Sequence, residues 1–215
     1  NPGSIAGVWA TKNTRGARFD AMRTRETFVT SGPRIKPRFF GGPALADTED
    51  PVRMVLDGSA NGVPMGGTLT GLDNPPSFTV HAMKDPMGAN LDRIQIIKGW
   101  VDGNGAPQER IVDIAWSDGR VADSSGKLPP VGNTVDPATA TYSNSIGAVE
   151  LSGHWTDDDF DPSSPALYYM RVIEIPTPRW TTYDAVRNGL PLLDGVAVSI
   201  QERAWTSPIW YSPAG

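Results

Sequence analysis

The sequence contains no cysteine, only two histidines and no long hydrophobic run. Without cysteine, disulfide bonds and thiolate metal sites are excluded, while the redox compartment stays open. No apolar stretch approaches the roughly 20 residues that a membrane-spanning helix needs, so we expect no membrane span. A hydrolytic metal site requires several converging histidines or carboxylates, and two histidines far apart in the chain do not supply such a set.

Glycine and proline, by contrast, are abundant in the 215-residue chain, with 23 and 20 copies. Their share exceeds the usual value of roughly 12% and favours many short strands and turns over long helices. Seven tryptophans and the β-branched runs along the whole chain argue against disorder. The composition therefore predicts an ordered protein of mainly β structure.

The net charge is −5 and the isoelectric point is about 5.0. Such an acidic chain has no overall electrostatic attraction to nucleic acid or to anionic membranes, so we expect no nucleic-acid partner. The basic residues between positions 15 and 25 fall on one predicted helix, and a solvated helix face explains them.

The first 35 residues predict a β-α-β unit. Residues 4–10 form an apolar run typical of a strand, and residues 28–30 predict a second strand. Between them, Ala17, Ala21 and Met22 follow the capping residues of positions 11–14, which predicts a helix over residues 14–25. This unit could not bury both of its faces alone, so it requires a neighbouring structure to pack on.

From position 36 onward, the hydrophobic pattern has period two, which is typical of strands with one buried face. Residues 77–82, 92–101, 110–116 and 147–155 alternate in this way, and a β-bulge is expected at Ile97. Several short antiparallel strands separated by turns predict an immunoglobulin-like β-sandwich over residues 36–215. Residues 41–50 and 118–137 lack periodicity and are predicted as loops, the second long enough to form a lid or a cover over a neighbouring domain.

The segment LYYMRVIEIPTPRW at residues 167–180 is the most informative part of the chain. Its aromatic and β-branched residues predict a well-buried strand. Pro176 and Pro178 end that strand and deliver Arg179 and Trp180 on a stiff, extended arm. A short helix is expected over residues 181–188, closed by Gly189.

This segment resembles FYYARVLEIPTPRW of the bacterial DUF3604 family, which is similar to the polymerase-and-histidinol-phosphatase (PHP) superfamily of metal-dependent hydrolases. Further similar segments include GVPMGG at residues 62–67, RIQIIKGW at 93–100, PVGNTV at 130–135, QERA at 201–204 and SPIWY at 207–211. The resemblance implies that residues 1–35 are the C-terminal β-α-β piece of a PHP-type α/β barrel. Residues 36–215 would then be a separate sandwich domain with long loops.

The chain opens at Asn1 on a tight turn, without a methionine or a signal-like segment, so we expect it to be the C-terminal part of a longer protein. The resemblance implies that this parent hydrolyses a phosphate or sulfate ester with a divalent metal. The metal ligands would lie on earlier barrel strands, so this chain alone is expected to bind no metal and to be inactive. The missing N-terminal barrel is the implied partner, and an exported or periplasmic location is also implied.

The candidate substrate-binding residues lie where the barrel and the sandwich would meet. In a barrel, the active site lies on the loops that follow the strands. The segment with Thr30, Ser31 and Arg34 leaves the last predicted barrel strand, and Asn13 ends the loop after the first one. Arg34 could bind an oxyanion with paired donors, and Arg179 on the proline arm is a second candidate. The alternatives are a turn at Ser31, a carboxylate partner for Arg34, and an interdomain ion pair or tryptophan stacking for Arg179.

Two other patterns favour structural roles. His81 and His154 alternate away from the predicted core face and are expected at the surface. Asp157, Asp159 and Asp161 begin the spacing of a calcium loop. No glycine follows at the sixth position, which favours a negatively charged turn over a calcium site.

A rival interpretation is a non-catalytic ligand- or carbohydrate-binding module. In such a module, exposed Trp180, Trp205 or Trp210 would form a stacking platform. Tryptophans buried against the N-terminal unit would instead be structural. A third possibility is a purely structural cap that holds the barrel closed.

Overall fold

The computed structural model describes residues 3–214 and has mainly β structure with antiparallel sheets, as predicted. Asn1 and Pro2 of the expected opening turn lie outside the described residues. The strands are β1 (Ile5–Val8), β2 (Thr27–Thr30), β3 (Lys36–Gly42), β4 (Val63–Pro64), β5 (Thr68–Thr70), β6 (Ser77–Met83), β7 (Leu91–Val101), β8 (Pro107–Trp116), β9 (Glu150–Thr156), β10 (Ala166–Glu174), β11 (Thr177–Pro178), β12 (Ser199–Ile200), β13 (Arg203–Thr206) and β14 (Ile209–Ser212). The helices are α1 (Arg15–Arg23), α2 (Pro51–Asn61) and α3 (Trp180–Asn188).

Two sheets and one short ribbon contain these strands. In the eight-stranded sheet, the central strand β10 pairs with β7 along one edge and with β13 and β14 along the other. Strand β8 extends this sheet beyond β7, and β2 and β1 extend it beyond β13. The four-stranded sheet has the order β4-β3-β6-β9, and β11 pairs with β12 in the ribbon. One strand pair differs from the predicted antiparallel arrangement: β5 runs parallel to β14.

The two sheets meet in one core, as in a β-sandwich. Strand β10 alternates between buried and half-buried residues, and Tyr168 and Met170 point into the core. Phe78 of β6 belongs to the same core, and its ring centroid lies 4.4 Å from that of Tyr168. The prediction of a buried strand is confirmed. The opposite side of the eight-stranded sheet is its outer face. Leu167 and Arg171 of β10 lie on this face.

The prediction that His81 lies at the surface is wrong. Strand β6 is buried at every position but the last, and His81 is only 5% exposed. It lies between Arg38 of β3 and Ser152 of β9, with its Nδ1 2.9 Å from Ser152 Oγ. His154 is half-buried, with its Nε2 3.1 Å from the carbonyl oxygen of Leu45. Both imidazoles therefore have partners within the fold.

The N-terminal unit contains the predicted strand, helix and strand. Helix α1 begins after Thr14, whose hydroxyl accepts a hydrogen bond from the Ala17 amide at 3.3 Å. Strands β1 and β2 pair antiparallel, with Ile5 opposite Thr30, whereas neighbouring strands of an α/β barrel are parallel. Strand β2 also pairs with β13, so the unit continues the eight-stranded sheet. The relation of residues 1–35 to a barrel and the domain boundary after them stay predictions.

The predicted bulge at Ile97 is wrong. Ile97 pairs regularly with Tyr169 of β10 and with Ile111 of β8. The register of β7 against β8 shifts instead between Ile94 and Gln95. The position of a bulge depends on the partner strand, which the sequence of β7 alone does not contain.

Helix α2 was not predicted from the sequence. It begins directly after the predicted loop, and the Asp50 side chain accepts hydrogen bonds from the amides of Val52 and Arg53. A capping aspartate followed by Pro51 is a known signal for a helix start. The helix packs on the four-stranded sheet through Met54.

The proline arm and the last helix agree with the predictions. Strand β10 ends at Glu174, and Thr177 in the arm pairs with Ile200 of β12. Helix α3 ends at Gly189, whose φ of 62° is the left-handed conformation expected there.

The predicted loop over residues 118–137 contains no strand. Of the helices within residues 3–214, none has the length and apolar character needed to cross a bilayer.

A buried charged cluster ties the two sheets together. Asp157 follows β9 and is fully buried, and its carboxylate lies 2.6 Å from Lys98 Nζ of β7. The Tyr168 hydroxyl donates a hydrogen bond to the same carboxylate at 2.7 Å. Lys98 also donates to the carbonyl oxygen of Asp159 at 2.8 Å. Because burial removes the hydration of both charges, each charge depends on its partner.

Replacing Lys98 by methionine is expected to lower the free energy of unfolding by about 3–5 kcal/mol, because the Asp157 carboxylate would stay buried without a cation. Arg110→Met is the matched control, because Arg110 of β8 pairs with the same acidic turn. Arg110 pairs with Asp158 and Asp159, whose side chains are 70% and 69% exposed, so this variant should lose only about 0–1 kcal/mol. Urea denaturation measures both values, and equal losses would contradict the importance of the buried pair.

Candidate functional site

Three of the five candidate residues lie at one end of the eight-stranded sheet, namely Thr30, Ser31 and Arg34. Ser31 follows β2 beside Arg203, the first residue of β13. The Ser31 amide donates to the Arg203 carbonyl at 2.9 Å, and the Arg203 amide donates to Ser31 Oγ at 2.9 Å. Thr30 is 1% exposed, and its hydroxyl accepts a hydrogen bond from the Gly32 amide at 3.3 Å. Both hydroxyls therefore hold the backbone of the turn.

Arg34, the third of these residues, is exposed next to the loop after β6, and its amide donates to Asp85 Oδ2 at 2.8 Å. Burial would raise the pKa of Asp85. Hydrogen bonds from the amides of Arg34 and Met87, together with the charges of Arg34 and Lys84, nevertheless lower that pKa below its usual value. The guanidinium of Arg34 makes no hydrogen bond or ion pair within residues 3–214. Its paired donors are therefore available to a ligand.

Asn13 and Arg179 are not joined to this group. Because β1 and β2 are antiparallel, the loop after β1 that carries Asn13 leaves the sheet at the end opposite Thr30. Two parallel barrel strands would have placed both loops at the same end. Arg179 precedes α3, where its amide donates to the Val198 carbonyl at 2.9 Å. Its Nε is buried and has no hydrogen-bond partner within residues 3–214.

A buried polar network near this end was not predicted. Asp92 has 0% exposure and accepts hydrogen bonds from Arg120 Nη2 at 2.5 Å, from Arg93 Nε at 3.2 Å and from Gln201 Nε2 at 2.9 Å. Arg93 Nη1 also lies 3.4 Å from Asp113 Oδ2. Two guanidiniums and an amide thus satisfy one buried carboxylate. The available signal was the adjacent charge pair Asp92-Arg93 at the start of a strand-forming run.

Glu174, the last residue of β10, is a second buried carboxyl group. It is 1% exposed, and its Oε1 has no hydrogen-bond partner within the part of the chain that the structure describes. Burial raises the pKa of Glu174 to about 8, Glu202 and Asp85 add to this rise, and Lys84 opposes it. The group is therefore mostly protonated at neutral pH. A lone glutamate inside the apolar run VIEIP was the signal that sequence reasoning passed over.

The residues present do not fit the divalent metal that the resemblance implies. No three histidines or carboxylates within residues 3–214 come together in a way that could hold a metal ion. Three carboxylates of the acidic turn have cationic partners instead, since Asp157 binds Lys98, and Asp158 and Asp159 bind Arg110. The Asp161 carboxylate accepts hydrogen bonds from the amide and hydroxyl of Ser163. These pairs support the interpretation as a charged turn.

A family model described as Protein of unknown function (DUF3604) matches residues 1–213. No curated protein and no solved structure matches the chain. The family recognised from residues 167–180 is therefore confirmed. Its relation to the PHP superfamily stays a prediction.

Glu174→Gln is expected to stabilise the protein at alkaline pH. The pKa of Glu174 is near 4.5 in the unfolded chain and about 8 in the folded one. As the pH rises between these values, the unfolded chain releases its proton first, so the wild type loses stability in this window. The glutamine variant lacks this loss, and its free energy of unfolding should exceed that of the wild type by about 1–3 kcal/mol above pH 8.

Urea denaturation between about pH 5 and pH 9 measures this difference. Glu109→Gln removes an exposed carboxylate of β8 and is the matched control, which should keep the pH dependence of the wild type. If Glu174→Gln and Glu109→Gln gave parallel curves, Glu174 would not be the group that titrates.

Proposed function

The chain belongs to the DUF3604 family, and on this premise we propose that it is the C-terminal, non-catalytic part of a PHP-like metal-dependent hydrolase. The parent protein would hydrolyse a phosphate or sulfate ester at a metal centre held by residues outside this chain. Residues 36–215, as an immunoglobulin-like sandwich, would form one wall of the substrate site and shield it from water. Residues 1–35 would join the sandwich to the barrel.

This proposal rests on Arg34, whose charge acts on Asp85 but whose guanidinium makes no hydrogen bond or ion pair within residues 3–214. Its backbone is fixed by the hydrogen bond to Asp85, and the preceding turn is fixed by Ser31. A guanidinium presents two parallel donors that match the oxygens of a phosphate or a sulfate. An exposed arginine whose guanidinium makes no hydrogen bond or ion pair within residues 3–214 suits the binding of an anion.

In the full-length protein, Arg34→Ala is expected to raise the KM for an aryl phosphate or aryl sulfate about tenfold or more. The variant loses a charge-assisted hydrogen bond worth roughly 1.5–3 kcal/mol. The kcat should change less, because Arg34 would bind the anion equally in the ground state and the transition state. Steady-state kinetics with both esters measures the two parameters.

Arg15→Ala is the matched control, because it removes an exposed arginine from α1 at the other side of the N-terminal unit. It should leave both parameters unchanged. Turnover by the 215-residue chain alone would contradict its non-catalytic role, whereas an unchanged KM in the Arg34 variant would contradict only the role of that residue.

The tryptophans favour a second candidate, a carbohydrate-binding module. Trp205 and Trp210 both lie on the outer face, where they are the cross-strand neighbours of Arg171 and Leu167 of β10. Trp210 is 41% exposed and borders a shallow cavity of about 360 Å³. A flat, exposed aromatic ring can stack on a sugar ring. Trp180 is 47% exposed but belongs to helix α3, so it does not extend this face.

Titration of the chain with oligosaccharides, followed by tryptophan fluorescence, tests the module. If it exists, Trp210→Ala should weaken binding about tenfold or more, since a tenfold change corresponds to only about 1.4 kcal/mol of lost stacking. Trp180→Ala removes a ring of similar exposure from another surface and should leave the affinity unchanged. Absence of binding to every oligosaccharide would eliminate this candidate.

A further inference from the structure

A cavity of about 400 Å³ lies at one edge of the outer face. Arg93 and Asp113 of strands β7 and β8 line it, together with Gln201 before β13. The loop over residues 118–137 contributes Lys127 and Val131. None of the five candidate residues from the sequence lines this cavity, so the cavity is distinct from the turn that carries Thr30, Ser31 and Arg34.

Arg120 holds the loop in place over the strands. Its Nη2 donates to Asp92 Oδ1 at 2.5 Å and to the Asp92 carbonyl at 2.8 Å. Its Nη1 donates to the Pro129 carbonyl at 3.0 Å, and its Nε donates to the Ser117 carbonyl at 3.1 Å. Pro129 lies within the loop segment that lines the cavity, so this wall is formed before any ligand binds. Such preorganisation lowers the entropic cost of binding.

Two cationic side chains, Arg93 and Lys127, and two carboxylates, Asp92 and Asp113, line the cavity. Asp92 is matched by Arg120 and Arg93, and Asp113 is matched by Arg93 and by the Gln95 amide at 2.7 Å. The ammonium group of Lys127 has no partner within residues 3–214, and neither has the Nη2 atom of Arg93. Two donors that carry positive charge therefore remain for a ligand.

Two further arginines, Arg203 and Arg171, lie on the outer face close to the cavity. Arg203 lies in the same cross-strand row as Arg93, with Ile173 between them. Arg171 lies one row further, where its Nε donates to Gln95 Oε1 at 2.8 Å. Neither Arg171 nor Arg203 pairs with a carboxylate in the part of the chain that the structure describes. An anion that approaches this edge would be attracted from several directions.

The rest of the cavity surface is apolar. Leu128, Pro130 and Val131 of the loop line it together with Pro176 of the arm. We propose that this cavity binds a small organic anion. Lys127 and Arg93 would bind its oxyanion group, and the prolines and Val131 would contact its apolar part. This site does not depend on the hydrolase proposal, because it needs no catalysis and no residue of a barrel.

Isothermal titration calorimetry of the 215-residue chain with phenyl phosphate, benzoate and inorganic phosphate tests the site. Phenyl phosphate or benzoate is expected to bind more tightly than inorganic phosphate, because only the aryl compounds reach the apolar wall. The order of the two aryl compounds identifies a phosphate or a carboxylate as the preferred anion. Lys127→Glu should weaken binding more than tenfold, because it replaces an attractive charge by a repulsive one.

Lys12→Glu makes the same change of charge in an exposed loop before α1 and should leave the affinity nearly unchanged. Val131→Trp should fill the cavity and abolish binding of the aryl anions without changing any charge, and its melting temperature shows whether it folds. Equal losses in Lys127→Glu and Lys12→Glu would overturn the proposal. So would full affinity in Val131→Trp, or no binding of any of the three compounds at about ten millimolar.

Discussion

Tyr168 is buried at the point where the two sheets meet. Its ring packs on Phe78 of the facing sheet, and its hydroxyl donates to Asp157 at the end of β9. Because the side chains of a strand alternate, an inward Tyr168 also places Leu167 and Tyr169 on the outer face. The core and the outer face therefore result from one register, and a slip of a single residue would exchange them.

The same register divides the outer face along its length. Arg171 and Arg203 lie toward the end where β10 reaches Glu174, whereas Leu167 and Trp210 lie toward the end where β10 begins. An antiparallel sheet tolerates one uncovered face when polar side chains interrupt the apolar ones. The sandwich therefore needs no complete second layer on this face, and the loop over residues 118–137 borders its polar end.

Features decided by a few consecutive residues could be predicted from the sequence. The cap at Thr14 and the left-handed Gly189 set helix ends through local hydrogen bonds and local dihedral angles. Features decided by distant residues could not. The direction in which β1 pairs with β2 separates Asn13 from Thr30, and neighbouring strands bury His81, although its own strand has the pattern of a half-exposed one. The same division holds for the residues at this end of the sheet. Thr30 and Ser31 meet through local sequence, whereas the Asp92 network joins three distant segments.

Asp92 and Glu174 are equally buried, and Gln201 connects them by donating to the Asp92 carboxylate and to the Glu174 carbonyl. The groups that surround the two carboxyl groups nevertheless differ. Two guanidiniums meet the Asp92 carboxylate, which fixes Arg93 at the wall of the cavity and Arg120 in the loop behind it. Glu174 faces other carboxylates, and burial raises its pKa to about 8, so it adds little negative charge at neutral pH. The donors around a carboxyl group, more than its depth, decide its charge. In a protein with a net charge of −5, the two carboxyl groups buried at this end are therefore accommodated in different ways, Asp92 by paired cations and Glu174 by protonation.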